Sequence, residues 1–258
     1  LSGCQSSLSP DGQTAVTLSE VAHSIFYAPQ YAAIELGYFE EEGIDLTLVN
    51  AGGADKVMTS LISGDAQIGF MGSEASIYVY QEGSDDPAVN FAQLTQRAGN
   101  FLVGREPEPD FQWENLKGKK VLGGRAGGMP QMVFEYILKK NGIDPKTDLS
   151  IDQSINFGLT AAAFTSNDAD YTVEFEPFAT ALEQEGNGHV AASLGESSGY
   201  VPYTAYCAKK SYIEKNPEII QKFTNAIQKG LEYVNSHTSE EIAKTIKPQF
   251  KETDEAAL

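Results

Sequence analysis

Along this chain the spacing of apolar residues switches repeatedly between a period near two and a period near 3.6, the mark of strands alternating with amphipathic helices. Residues 15–19 (AVTLS) read as a first strand, and residues 27–36 as a helix stopped by Gly37. Residues 44–49 alternate as a second strand, 55–62 form a helix ended by Gly64, and 66–70 make a third strand. A helix over 74–81 and a strand over 88–95 follow, until Glu106-Pro107-Glu108-Pro109-Asp110 breaks the pattern as a loop. A second set opens with a strand at 119–122. The helix predicted over 129–140 places Met129, Met132, Val133, Tyr136 and Ile137 on one face, and Lys139 to Gly142 supply a cationic, left-handed stop. Strands at 149–155, 169–173 and 190–194 are interleaved with helices at 159–164 and 177–184. Residues 203–208 form a returning strand. Asn216-Pro217 then gives an N-cap and first-turn start to a terminal helix whose buried stripe is Ile219, Ile220, Phe223, Ile227, Leu231 and Val234. The class is α/β.

Composition narrows the function. The 258 residues are enough for one large or two modest lobes, and no run of about 18 apolar residues is present to span a bilayer. Asp and Glu total 36 against 18 Lys and Arg, a net charge of −18, which excludes a nucleic-acid footprint and disfavours docking on anionic lipid. Two cysteines, Cys4 and Cys207, make no disulfide framework if the first is modified. Three scattered histidines make no zinc module, and no metal site or cofactor is expected.

Leu1-Ser2-Gly3-Cys4, followed by the polar tether Gln5 to Gln13, resembles the lipobox of bacterial lipoproteins. That resemblance implies lipidation at Cys4, residues 1–13 acting as signal stub and tether, and an extracytoplasmic, membrane-anchored location. Four longer stretches carry a second resemblance: SEVAHSIFYAPQYAAIELGYFEEEGIDLTLV, SLISGDAQIGFMGSEASI, LKGKKVLGGRAGGMPQMVFEYILKKNGID and YTAYCAKKSYIEKNPEIIQKFTNAIQKGLEYV. Together they are similar to the solute-binding proteins of bacterial ABC importers, in the branch that includes nitrate, sulfonate, taurine and thiamine-pyrimidine-precursor binders. The resemblance implies a two-lobed periplasmic-binding-protein fold of type II, each lobe a mixed sheet flanked by helices, with the ligand in the cleft. Lobe one is expected over 14–100 plus 206–258 and lobe two over 105–202, with hinges near 100–104 and 202–207. The family's C-terminal helices usually run further than Leu258. It also implies a monomer that passes a small molecule to a membrane permease.

Ligands of open α/β sheets sit beyond the carboxyl ends of strands, where helix N-termini converge. The loops so placed are 20–27, 72–74, 123–130, 156–159 and 172–177. They nominate His23, Phe26 and Tyr27 for stacking; Ser73 and Glu74; Arg125 and Gly127 in a glycine-rich turn; Asn156; and Glu174 and Glu176, which with Thr172 share a strand face. Tyr203, with Tyr200 and Tyr206, lies at the return crossing. Ordinary roles compete at each position: Ser73 as a helix cap, Glu176 as a cap with Glu174 solvated, Arg125 in water, His23 as a structural histidine. The glycine-rich turn lacks the Lys-Ser/Thr of a phosphate loop and the spacing of a dinucleotide fingerprint. No nucleophile motif is present, and Cys207 stands apart from any cysteine cluster of the pyrimidine-synthesising relatives, so no enzymatic activity is expected. The carboxylates and aromatics favour a small planar amine, such as a thiamine pyrimidine precursor. A sulfonate, taurine or nitrate held by Arg125 and helix N-termini is the alternative.

Overall fold

The structure, a computed structural model, describes residues 12–258. In chain order its strands are β1 (Thr14–Glu20), β2 (Ile44–Asn50), β3 (Ile68–Gly72), β4 (Ala88–Thr95), β5 (Asn100–Gly104), β6 (Lys120–Leu122), β7 (Ser150–Asp152), β8 (Tyr171–Phe175), β9 (His189–Ser193) and β10 (Thr204–Lys209). They make two five-stranded sheets, β2-β1-β3-β10-β4 and β7-β6-β8-β5-β9. Each sheet is parallel except for one inserted strand. β10 runs antiparallel between β3 and β4, and β5 runs antiparallel between β8 and β9. The result is the two-lobed mixed α/β architecture expected from the sequence.

Parallel strands need helical crossovers, and the sequence supplies them where its period changes. Helices Ala28–Glu35 and Ala54–Ser63 connect β1 to β2 and β2 to β3. Gly64, at φ +86°, ends the second of these, and β3 is buried along its whole length because it lies inside the sheet. The strand after it supports a helix over Glu74–Gln81. In lobe two the helix Met129–Lys140 packs through Met129, Pro130, Val133, Phe134, Ile137 and Leu138. This corrects the predicted face. Met132 and Tyr136 are 43% and 51% exposed, because Pro130, Phe134 and Leu138 shift the buried stripe by about a quarter of a revolution.

The crossings also lie differently. Residues 100–104, expected as a hinge, are the strand β5, hydrogen-bonded on both sides, so the chain changes sheets over residues 96–99. The return crossing runs beside it. The Val201 N–H donates to the Gln96 carbonyl at 2.9 Å and the Tyr203 N–H to the Thr95 carbonyl at 3.1 Å, while the Thr95 and Thr204 hydroxyls hydrogen-bond to each other. Phe26 fills the space above Gly99 and packs on the cores of both lobes.

Lobe one is completed by the C-terminal helices Pro217–Ser236 and Ser239–Ile246, the latter started by a capping box between Thr238 and Glu241. Pro217 takes the first turn as predicted. Asn216 does not cap with its side chain; its amide donates back to the Tyr212 carbonyl at 3.1 Å. Predicted stripe residues Phe223 and Ile227 are buried, together with Ala226 and Gly230. Gly230 brings this helix against the first, where a Cβ would fall on the Pro29 carbonyl oxygen and 3.0 Å from the Ala33 Cβ.

Helix propensity alone gives Gly230→Ala a gain of about 1 kcal/mol, whereas overpacking costs about 1–3 kcal/mol. Because the obstruction includes backbone, the expected outcome is a net loss, read as a thermal midpoint several degrees lower. An unchanged or higher midpoint would show that the two helices can separate freely.

Candidate ligand-binding cleft

The carboxyl ends of β1, β3 and β8 and the N-terminus of the helix Met129–Lys140 converge between the lobes, leaving two adjoining compartments. The first is lined chiefly by Tyr27, Gly72, Arg125, Met129, Phe157, Phe175 and Tyr203. The second is lined by His23, Asn50, Phe157, Thr160, Glu174 and Phe178 among others. Ala22, Phe157 and Phe175 border both, so the two form one elongated cleft. Phe157 and Phe175 meet edge to face at 5.7 Å and make its waist.

Glu174 lies in the second compartment at 2% exposure. Its oxygens accept hydrogen bonds from the Thr172 hydroxyl at 2.6 Å and the Thr160 hydroxyl at 2.9 Å. The first contact follows from strand alternation, which puts residues 172 and 174 on one face. Among the described residues no cation balances the charge, and burial pushes its pKa up to about 7. Glu176 departs from that alternation, because β8 ends at Phe175. Its carboxylate turns to accept from the Thr180 N–H and hydroxyl at 3.0 and 2.9 Å, capping the helix Phe178–Gln184 and lining neither compartment.

Glu74 is 4% exposed, and among the described residues neither carboxylate oxygen has a hydrogen-bond partner. It folds back over Gly72, where a Cβ would strike it, toward the opposite lobe. Burial raises its pKa to about 7, while the backbone N–H groups of Glu74 itself and of Met129 draw it down without forming a full bond. Tyr203 is 1% exposed and lines the first compartment, and its hydroxyl has no partner among the described residues. Ser73 holds the N-cap position of its helix but does not cap it. Its hydroxyl donates to the Pro202 carbonyl at 2.6 Å, tying the helix start to the return crossing.

His23 edges the second compartment, yet both ring nitrogens are engaged: Nδ1 with Glu20 at 2.5 Å and Nε2 with the Gln249 carbonyl at 2.7 Å. Burial lowers its pKa, but the hydrogen bond and charge of Glu20 and the Gln249 carbonyl outweigh this, and the net shift is upward. Glu20 is fully buried and also accepts from Gln30 at 2.9 Å and Tyr31 at 2.8 Å. Tyr206 joins this network by donating to Gln30 at 2.9 Å.

Arg125 reaches across the cleft mouth. It donates to Asp55 of lobe one at 2.6 Å and to Asn156 of its own lobe, and Gly53 leaves room for its stem. Asn156 therefore positions Arg125 and borders neither compartment. The pair is partly solvated, so it fixes lobe register more than it adds strength, about 0–1 kcal/mol. Gly127, at φ +80°, gives its N–H to the Gln131 side chain at 2.6 Å, which withdraws it from a ligand. Tyr27 lines the first compartment, whereas Phe26 stands behind it, 5.9 Å from Tyr203 and 6.1 Å from Phe175. Tyr200 is exposed, with Arg97 over its ring. Cys4 lies outside the described residues.

Sequence reasoning missed Phe157, Phe175, Thr160, Asp55 and Glu20. Phe175 carried a signal, at the end of a strand entering a nominated loop. Glu20 carried the same signal, at the head of the nominated loop 20–27, whereas Asp55 carried none, because its partner Arg125 is 70 residues away in the chain.

Residues 25–241 match the family described as NMT1/THI5 like. The chain is 50% identical over 241 residues to YtlA of Bacillus subtilis (strain 168), whose name describes a binding protein; the match covers 93% of this chain and 72% of that one. It is 22% identical over 230 residues to the 4-amino-5-hydroxymethyl-2-methylpyrimidine phosphate synthase of Candida albicans (strain WO-1), covering 83% of this chain and 65% of that enzyme. Among solved structures, the periplasmic aliphatic sulphonate binding protein SsuA from Escherichia coli superposes with a TM-score of 0.74 at 17% identity. The superposition covers 94% of this chain and 80% of that one, and the likeness is one of fold.

The cleft makes a pH prediction for the ligand-free protein. Glu74 and Glu174 have raised folded pKa values, so their contribution is present in full below the ordinary value of 4.5 and is lost as pH rises through about 7. That of His23 is present below 6.5 and lost above it, which is the same sign. Each carboxyl represents roughly 3 kcal/mol across the window. The thermal midpoint should therefore fall from pH 5 to pH 8, and Glu174→Gln should flatten the fall. A midpoint rising over that range would contradict the burial of these acids.

Proposed function

From the premise that the chain belongs to the NMT1/THI5-like family, we propose that it is an extracytoplasmic solute-binding protein of an ABC importer, and that its ligand is a small, flat, amine-bearing molecule resembling a thiamine pyrimidine precursor. The observation that carries this reading is Glu174, a buried carboxylate aimed into the cleft, steadied by two hydroxyls and lacking a cation. A protonated or strongly donating nitrogen would supply the missing charge, and Phe157, Phe175 and Tyr27 offer ring faces and edges to a planar body. The same features work against a sulfonate or nitrate. The guanidinium in the cleft is committed to Asp55 and Asn156, and two buried carboxylates would repel an anion. Binding without chemistry is favoured because the relative at 50% identity bears a binding protein's name, while the synthases share only 22–23%. The two hydrogen-bonded crossings would act as the hinge. A monomeric protein, tethered by a lipidated Cys4 and docking on a permease, completes the proposal.

Calorimetry with aminopyrimidines, aliphatic amines, sulfonates and nitrate should show binding to the nitrogen compounds. Glu174→Gln should cost about 1.5–3 kcal/mol of that affinity, a ten-fold to hundred-fold loss. Binding of sulfonates alone would overturn the ligand assignment. For the anchor, Cys4→Ser in cells should move the protein from the membrane fraction to the soluble extracytoplasmic fraction; retention in the membrane would refute lipidation at Cys4.

A further inference from the structure

Residues 247–258 fold back on lobe one beside the cleft, and their attachment turns on a histidine. The segment makes its own frame. The Lys247 ammonium donates to the carbonyls of Phe250 at 3.0 Å, Lys251 at 3.1 Å and Thr253, gathering these backbone acceptors on one cation. Phe250, 5% exposed, packs its ring against His23 at 4.7 Å and edge-on to Tyr31 at 5.2 Å. Gln249 supplies polar ties to the body of the lobe. Its side-chain amide donates to Glu35 at 2.5 Å, and its carbonyl meets His23 Nε2 at 2.7 Å.

That last contact constrains the protonation of the ring. A backbone carbonyl can only accept. The Glu20 oxygen facing Nδ1 at 2.5 Å belongs to a carboxyl group whose other oxygen already accepts from the Gln30 amide and the Tyr31 hydroxyl, which favours the ionised form. Both ring nitrogens therefore face acceptors, and only an imidazolium donates to both. A neutral ring keeps a single N–H. Its stronger acceptor is the buried, charged Glu20, so the remaining proton stays on Nδ1 and the Nε2 lone pair is left against the Gln249 carbonyl. The other titratable groups around the ring do not replace the lost donor. Tyr27, Tyr31 and Tyr206 are phenols that burial and the Glu20 charge hold neutral, and Glu35 and Glu174 are acids. The Lys247 ammonium is engaged by its own carbonyls.

We infer that His23 is a proton-operated clasp: as an imidazolium it fastens residues 247–258 to the end of β1, and on losing its proton it unfastens them. The clasp does not depend on the nature of the ligand. Raising the pH loosens the segment, while the helix Ser239–Ile246 keeps its own capping box and stays in place. Because the same ring lines the second compartment, the state of the clasp also sets the charge of that wall.

Two measurements on the full chain test this. Long-range nitrogen–proton NMR of histidine-labelled protein should show protons on both His23 ring nitrogens at pH 6 and on one at pH 9. Hydrogen exchange, corrected for its intrinsic pH dependence, should show the protection of residues 247–258 falling about ten-fold or more between those pH values, with the helix Ser239–Ile246 unchanged. His23→Gln should give low protection of the segment at both pH values. Gln249→Ala removes the tie to Glu35 but keeps the carbonyl, so it should lower protection at both pH values and retain the pH-dependent step. A singly protonated His23 ring at pH 6, or equal protection of the segment at pH 6 and pH 9, would overturn the clasp. Thermal unfolding checks that each variant is folded, and the wild-type measurements decide the question even where His23→Gln fails to fold.

Discussion

A carboxylate removed from water must find hydrogen bonds, find a cation, or take up a proton, and this protein holds three buried glutamates at three stages of that requirement. Glu20 is fully provided for by His23, Gln30 and Tyr31, and it ties the end of β1 to the first helix and, through His23, to the C-terminal segment. Glu174 has two hydroxyls and no cation. Glu74 has neither. The gradient runs from the interior of lobe one into the cleft. Structure is built where the requirement is met, and recognition is left where it is not.

The remainder of the architecture keeps those groups facing one another. β1, β3 and β8 deliver Ala22, Gly72 and Glu174 to the same gap because their carboxyl ends point there. Phe26 and Phe157 pack on the cores of both lobes, so the gap has a hydrophobic floor and waist. Arg125 and Asp55 set the register at its mouth. An ion pair of this exposure contributes little stability, but it joins the two lobes across the mouth.

Much of this was legible in the sequence. Helices 74–81 and 129–140 and strand 88–95 lie where their periodicity placed them, since capping glycines and alternation are local signals. What failed was non-local. Residues 100–104 read as a connector because a five-residue strand inserted between two others has no helix partner to announce it. The exposed face of Met132 and Tyr136 was taken as buried because periodicity gives a stripe's width better than its bearing. Of the nominated residues, Glu174, Tyr27 and Tyr203 line the cleft, whereas Glu176, Gly127 and Asn156 are hydrogen-bonded to their neighbours Thr180, Gln131 and Arg125. Chemistry names the candidates for a pocket, and only folded neighbours reveal which are already engaged.

The insertion of β10 between β3 and β4 bears on the order in which the chain can assemble. All five strands of the second sheet lie within residues 100–193, whereas β4 has no partner in the first sheet until residues 204–209 arrive. A chain emerging from the ribosome thus presents a complete second lobe while the first is still missing its interior strand. The first lobe is thus completed only after the second, and the folded second lobe holds residues 96 and 201 side by side, shortening the search by which β4 and β10 find each other.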